Sequence, residues 1–237
     1  MASAFPELPA RVAEIRGRIA DAVARGGRAQ TVRLVAVTKT HGPEAVEAAW
    51  AAGITEVGEN KVQEAVGKQE ALAGAACTLG GIRWHLIGHL QTNKAKALPR
   101  FALFHALDRD GLVTAADAVG RSVGRPIEVL VQVNVSGETT KGGYSPSEVP
   151  ALAERLHGCT GLVVRGVMTM APFEADEVTL RAVFRGAREV RDRLVQAGHP
   201  ATELSMGMSG DYEIAVEEGA TLVRLGTVLF GARAYPV

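Results

Sequence analysis

Lys39 closes an apolar, β-branched run at residues 33–38, the first place in this sequence where a side chain is set for chemistry. A lysine there is either a solvated strand-end charge or a nucleophile. As a nucleophile it needs burial or nearby cations to lower its ammonium pKa, so that the neutral amine can attack a carbonyl. Arg224 is the second candidate. In residues 221–225, Leu222, Arg224 and Gly226 point one way, and Val223 and Leu225 the other. If the Val/Leu pair packs under helices, Arg224 points into an interior where its charge needs a partner. A ligand lone pair would serve, and so would an Asp or Glu from another strand. Ser205-Met206-Gly207-Met208-Ser209-Gly210 and Gly226-Thr227 are the third candidate. Such turns offer free backbone N–H groups, hydroxyls and the positive end of a helix dipole to a phosphate. They read equally as ordinary turns, with Ser209 capping a helix at residues 211–218. Asn60 could likewise cap the next helix or hydrogen-bond a ligand.

Other motifs carry less. His85 and His89 stand four apart, a zinc spacing on a helix, but here they straddle a strand end and Gly88. The run from Ser136 to Gly143 lacks the phosphate-loop lysine pattern, and Gly207-Met208-Ser209-Gly210 is not a nucleophile elbow.

The elements that must position these groups alternate short apolar runs with longer amphipathic ones. Strands are expected at residues 33–38, 54–57, 83–87, 102–107, 127–135, 162–168, 203–206 and 221–225. Helices are expected at residues 43–52, 61–73, 110–123, 147–156, 177–196 and 211–218. Eight strands with helices between them favour parallel pairing and a closed α/β barrel of the TIM type, (β/α)8. An extra helix at residues 8–24 precedes the first strand and could cover the barrel where a final helix is missing. An open doubly wound sheet is the rival, but no Gly-x-Gly-x-x-Gly follows any strand. Active groups in such a barrel sit at the C-terminal ends of the strands, and phosphate commonly binds after strands seven and eight.

The chain has 237 residues, and one barrel of about 250 would use all of it, so residues 1–237 read as a single domain. Lys plus Arg (26) balances Asp plus Glu (26), so no global field attracts nucleic acid or an anionic membrane. Cys77 and Cys159 form neither a disulfide framework nor a metal spacing, which fits a reducing compartment. The first residues lack a secretory pattern and no apolar stretch is long enough to span a membrane. A cytoplasmic location is the expectation.

Taken together, several motifs resemble one family, the pyridoxal phosphate homeostasis proteins. They are Ala36-Val37-Thr38-Lys39, the segment from Val57 to Glu64, the segment from Trp84 to Lys94, and Gln132-Val133-Asn134-Val135 with Lys141-Gly142-Gly143. Leu204 to Ser209 and Val223 to Thr227 complete the set. The resemblance implies a barrel similar to the N-terminal domain of alanine racemase, the type III pyridoxal phosphate fold, without that enzyme's second domain. It implies pyridoxal 5'-phosphate (PLP) as cofactor, held as a Schiff base on Lys39. Ser209, Gly226 and Thr227, with Ser205, match the phosphate cup. Arg224 matches the arginine facing the pyridine nitrogen, and Asn60 lines the pocket. The family binds and buffers the cofactor and supplies it to other enzymes, so apo-enzymes are the implied recipients. His41-Gly42 departs from a common lysine and proline, making the adjoining loop less basic.

An arginine beside the pyridine nitrogen disfavours its protonation and makes the ring a poorer electron sink, which suits a role other than catalysis. A racemase or lyase of the same barrel type is the alternative, and a barrel for another phosphorylated metabolite is a third. Loss of the racemase-type second domain also leads us to expect a monomer.

Overall fold

The apolar runs are too short for helices and rich in β-branched residues. In the computed structural model, which describes residues 4–75, 80–138 and 140–231, they form eight parallel strands. These are β1 Arg33–Val37, β2 Glu56–Glu59, β3 Arg83–Leu86, β4 Leu103–Leu107, β5 Ile127–Gln132, β6 Leu162–Met168, β7 Glu203–Ser205 and β8 Leu222–Leu225. Each pairs with the next and β8 returns to β1, closing the expected barrel. The helices are α1 Leu8–Gly26, α2 Pro43–Ala51, α3 Val62–Ala71, α4 Asp110–Val123, α5 Val149–His157, α6 Glu177–Gln196, α7 Tyr212–Glu217 and α8 Thr227–Phe230. Cys77 lies outside the described residues, and Cys159 is a half-buried free thiol.

Helix α1 shows why the extra N-terminal segment folds. A proline sits in its first turn, and Gly27, at φ 62°, ends it in the left-handed region. Leu8, Val12, Ile15, Ile19 and Ala22 recur every three or four residues and are all buried. That stripe packs on α7 and α8, so α1 closes the gap expected there. Burying each of the larger side chains contributes up to about 1.5–3 kcal/mol.

Two strands shift from the sequence expectation by two residues or more, and an unassigned stretch forms an element. Strand two lies two residues later, because Ile54 N–H still bonds the carbonyl of Ala49 and belongs to the end of α2. Its last residue, Glu59, is tolerated in a buried strand because Lys68 on α3 reaches it. Strand five ends at Gln132 rather than 135, since Asn134 bends the chain by donating to the carbonyls of Glu138 and Lys141. A 3₁₀ helix at Thr92–Arg100, ending around Pro99, occupies a stretch to which the sequence assigned no element.

The apolar core lies between strands and helices, and the barrel's interior carries a layer of polar side chains. At the N-terminal end Arg33 on β1 donates to Glu56 on β2 (2.9 Å) and to Glu203 on β7 (2.6 Å). Those contacts fix which side of β1, β2 and β7 faces inward.

Candidate functional site

Strand β1 delivers Lys39 to the C-terminal mouth, half-buried, and its two neighbours are clamped by α3. Thr38 is fully buried: its hydroxyl donates to Glu59, and its carbonyl accepts from Lys68 Nζ at 2.8 Å. Lys68 also reaches Glu59 at 2.6 Å and Glu64 at 3.1 Å. Burial pushes the Glu59 carboxyl up, opposed by its bonds to Lys68 and Thr38. Thr40 holds a φ of 70°, rare for a β-branched residue, while its N–H donates to Glu64. The backbone on either side of Lys39 is thus held by one helix. Register pairs Val37 with Gly58, so two residues further on Lys39 and Asn60 stand at the same level. Behind them the His41 ring packs between Phe5 and Phe230, with centroids 5.5 and 5.3 Å away. Burial lowers the pKa of His41.

The loops after β7 and β8 meet as expected. Ser209 does not cap the following helix, which has no side-chain cap. Its hydroxyl accepts instead from Val228 N–H in the first turn of α8, at 3.4 Å, and so ties one loop to the other. Asp211 shapes the first loop by accepting from Met208 N–H at 2.6 Å. Gly207 is required by space and conformation: its φ is 91°, and an added Cβ would stand 2.7 Å from Ala215 Cβ. Gly226 lies beside β1, where an added Cβ would be 3.3 Å from the carbonyl oxygen of Val37. Thr227 follows at the start of α8. Lys39, Asn60, Ser209, Gly226 and Thr227 therefore share one end of the barrel.

Arg224 points inward, 5% exposed, as its alternation implied. Its partners are neutral: the Ser205 hydroxyl at 2.6 Å and the Thr169 carbonyl at 3.0 Å. Among the described residues no carboxylate stands within ion-pair distance of it. Burial pulls the guanidinium down to about 10, with Asp211 opposing, so it stays charged at neutral pH. Ser205 is not placed with Ser209. It belongs to β7, is fully buried, and its hydroxyl lies between Arg224 and His105 Nδ1 (2.8 Å). The reason is alternation: Glu203 and Ser205 face inward, and the loop begins only at Met206.

Sequence reasoning missed His105, Thr38, Glu59, Lys68 and Asp211. His105 was accessible to it, because a histidine in the middle of Leu103–Leu107 must face either the interior or the helices. The two motif histidines separate: His85 is buried against His105 at 2.8 Å, and His89 is exposed and pairs with Asp108 at 2.7 Å.

A closed barrel with a clamped lysine at its mouth, paired phosphate-type loops and an inward arginine defines a class, the barrel of alanine racemase's N-terminal domain. Residues 13–234 match the model of that domain family. Pyridoxal phosphate homeostasis proteins of Aquifex aeolicus and Pseudomonas aeruginosa are each 40% identical to this chain. The first covers 95% of it and 98% of the relative, the second 94% and 95%. The structure of PipY from Synechococcus elongatus PCC7942 with PLP bound is 35% identical, with a TM-score of 0.83 over 94% of this chain and 100% of that one. Alanine racemase from Corynebacterium glutamicum is 14% identical at a TM-score of 0.64, covering 92% of this chain and 61% of that one, and shares the fold alone. The chain belongs to the family of pyridoxal phosphate homeostasis proteins.

Proposed function

We propose that this protein binds PLP at the mouth of its barrel and holds and supplies the cofactor rather than turning over a substrate with it. The whole chain, residues 1–237, acts as one domain in this reading. Arg224 is the observation that carries it. A buried cation with only neutral partners has donors to spare for a ligand lone pair, and it sits below a mouth built of Lys39, Asn60 and two joined loops. The residues fit the cofactor's three functions. Ser209, Gly226 and Thr227 suit the phosphate, because glycine leaves backbone amides accessible and the hydroxyls add donors. Arg224 suits the ring nitrogen, with Ser205 acting through Arg224 rather than on the phosphate. Lys39 suits the aldehyde, its amine joining the carbonyl carbon with loss of water.

Bound there, the cofactor supplies an aldehyde and an electron-withdrawing ring, and the ring withdraws best when its nitrogen is protonated. Arg224 opposes that protonation by placing a positive charge beside the nitrogen. The site therefore favours storage. Apo-enzymes are the proposed recipients, the cytoplasm the proposed location and a monomer the proposed state. A light-scattering mass near twice 24.9 kDa would overturn the last. Among the described residues no helix is long and apolar enough to cross a membrane.

The test is an absorbance spectrum of the purified protein with added PLP, followed by borohydride reduction and peptide mapping. A near-visible band that reduction removes, with the pyridoxyl mass on Lys39, is the expected result. A label on Lys68 or Lys141 would refute the site, and no band would refute the cofactor. D-amino acid or keto acid formed from L-amino acids at enzyme-like rates would refute the storage role.

A further inference from the structure

Inside the barrel, between the mouth and the Arg33 ion pairs, five side chains from five strands stand in line. Arg224 Nη1 donates to Ser205 Oγ at 2.6 Å. Ser205 Oγ lies 2.8 Å from His105 Nδ1, and His105 Nε2 lies 2.8 Å from His85 Nδ1. His85 Nε2 faces Glu56 Oε2 at 3.4 Å, and both of these buried atoms otherwise lack a partner. Both histidines and Ser205 are fully buried. At the foot of the line Glu56 and Arg33 line a cavity of 550 Å³ open to the N-terminal face.

The direction of each hydrogen bond follows from the carboxylate. A lone pair on His85 Nε2 would face the negative Glu56, so the proton belongs on Nε2 and His85 Nδ1 accepts. His105 must then donate from Nε2, which leaves its Nδ1 to accept the Ser205 hydroxyl proton. With its only hydrogen spent on His105, Ser205 turns oxygen lone pairs toward Arg224. Burial, helped by Arg83 and Arg33, holds His85 near 3, and burial holds His105 well below its ordinary value, so both rings are neutral.

We infer that His85, His105 and Ser205 form a one-way hydrogen-bonded relay, its direction set by the Glu56 carboxylate that faces His85 Nε2, and that this relay positions Arg224 for the ring nitrogen of the bound cofactor. The relay's effect on PLP rests on the function proposed above, whereas its existence does not. His85 and His105 are positioning residues in this inference, acting through Ser205 and Arg224. Hydrogen bonds in such a chain polarise one another, so the carboxylate at the foot makes Ser205 a better acceptor for the guanidinium.

Two measurements test it. The first is nitrogen NMR of the histidine rings in the cofactor-free protein. Both His85 and His105 are expected as neutral rings protonated on Nε2, and Glu56→Gln is expected to weaken that preference at His85. A proton on His105 Nδ1 would overturn the relay whether or not the protein binds PLP. The second measurement is the spectrum and release rate of bound PLP in Ser205→Ala and His105→Asn. Both variants are expected to move the absorbance band in the same direction and to speed release about fivefold, the equivalent of one hydrogen bond of about 1 kcal/mol. If Ser205→Ala binds and releases PLP like the unaltered protein, the relay does not act on the cofactor. If His105→Asn fails to fold, Ser205→Ala alone decides. Absence of any band in the unaltered protein would refute the proposed function and leave the NMR result to stand or fall by itself.

Discussion

Acidification should loosen this barrel through its buried histidines, and His85 sets the magnitude. Burial, with the nearby charges of Arg83 and Arg33, holds its pKa at about 3, whereas an unfolded histidine titrates near 6.5. Above 6.5 both states are neutral at this residue, and it adds no pH dependence. Between 6.5 and 3 the unfolded chain takes up a proton that the folded barrel refuses, so stability falls as pH falls. At pH 5, about 1.5 units below 6.5 at about 1.4 kcal/mol per unit, His85 alone accounts for about 2 kcal/mol. His105, also lowered by burial, adds a loss of the same sign. Glu59 works the other way, because burial raises its pKa and the folded state is the first to protonate it. Comparing the protein with its His85→Asn variant isolates the one term. Urea unfolding at pH 7 and pH 5 should show the unaltered protein losing about 2 kcal/mol more than the variant. Equal losses in the two proteins would refute the claim that His85 is held neutral.

Lys68→Met should cost about 3–5 kcal/mol in urea unfolding at neutral pH, because it leaves the buried Glu59 carboxylate unpaired; Lys68→Met with Glu59→Leu should recover most of that. Gly207→Ala combines a φ of 91° with a Cβ 2.9 Å from Tyr212 Cα, so thermal unfolding should show a loss of about 1–3 kcal/mol, together with weaker PLP binding. Arg224→Met removes a buried charge with no carboxylate at ion-pair distance among the described residues, so apo stability should change by less than about 1.5 kcal/mol while PLP affinity, measured by titration, falls about tenfold or more. Stability and affinity falling together in that variant would contradict the placement of Arg224.

The legible parts of this fold were those set by period. Alternation in residues 221–225 puts Arg224 inside once Val223 and Leu225 pack under helices, and the β-branched run at residues 33–38 locates Lys39. The same rule applied to Glu203–Ser205 would have put Ser205 in the interior, but a three-residue strand gives alternation little to work on. Sequence also had no means of finding the Lys68–Glu59 contact, since it depends on how α3 docks over β2. Only its i,i+4 half, Glu64 with Lys68, is written locally. Ser209 illustrates a competition. A serine two residues before a helix reads as a cap, yet its hydroxyl serves the amide of Val228, nineteen residues on, because barrel closure brings α8 alongside.

The interior is the feature that sets this barrel apart from one built for stability. Barrel interiors are commonly layers of Val, Ile and Leu. Here the middle layer holds His85, His105, Ser205 and Arg224, and each polar atom placed there must be satisfied or it costs free energy. The layer meets most of that demand with hydrogen bonds along one line, leaves His85 Nε2 facing Glu56 Oε2 at 3.4 Å, and among the described residues holds Arg224 with no carboxylate at ion-pair distance. A carboxylate at that position would invite a proton onto the ring nitrogen of a cofactor bound there. Under the proposed reading, an arginine held by neutral groups keeps its positive charge and leaves the ring unprotonated. That arrangement gives up catalytic power in the bound cofactor, which under the proposed reading is the property a carrier needs. A carboxylate in place of Arg224 should therefore raise side reactions of the bound cofactor with free amino acids, and a variant Arg224→Glu that binds PLP yet shows no such reactions would break this last link.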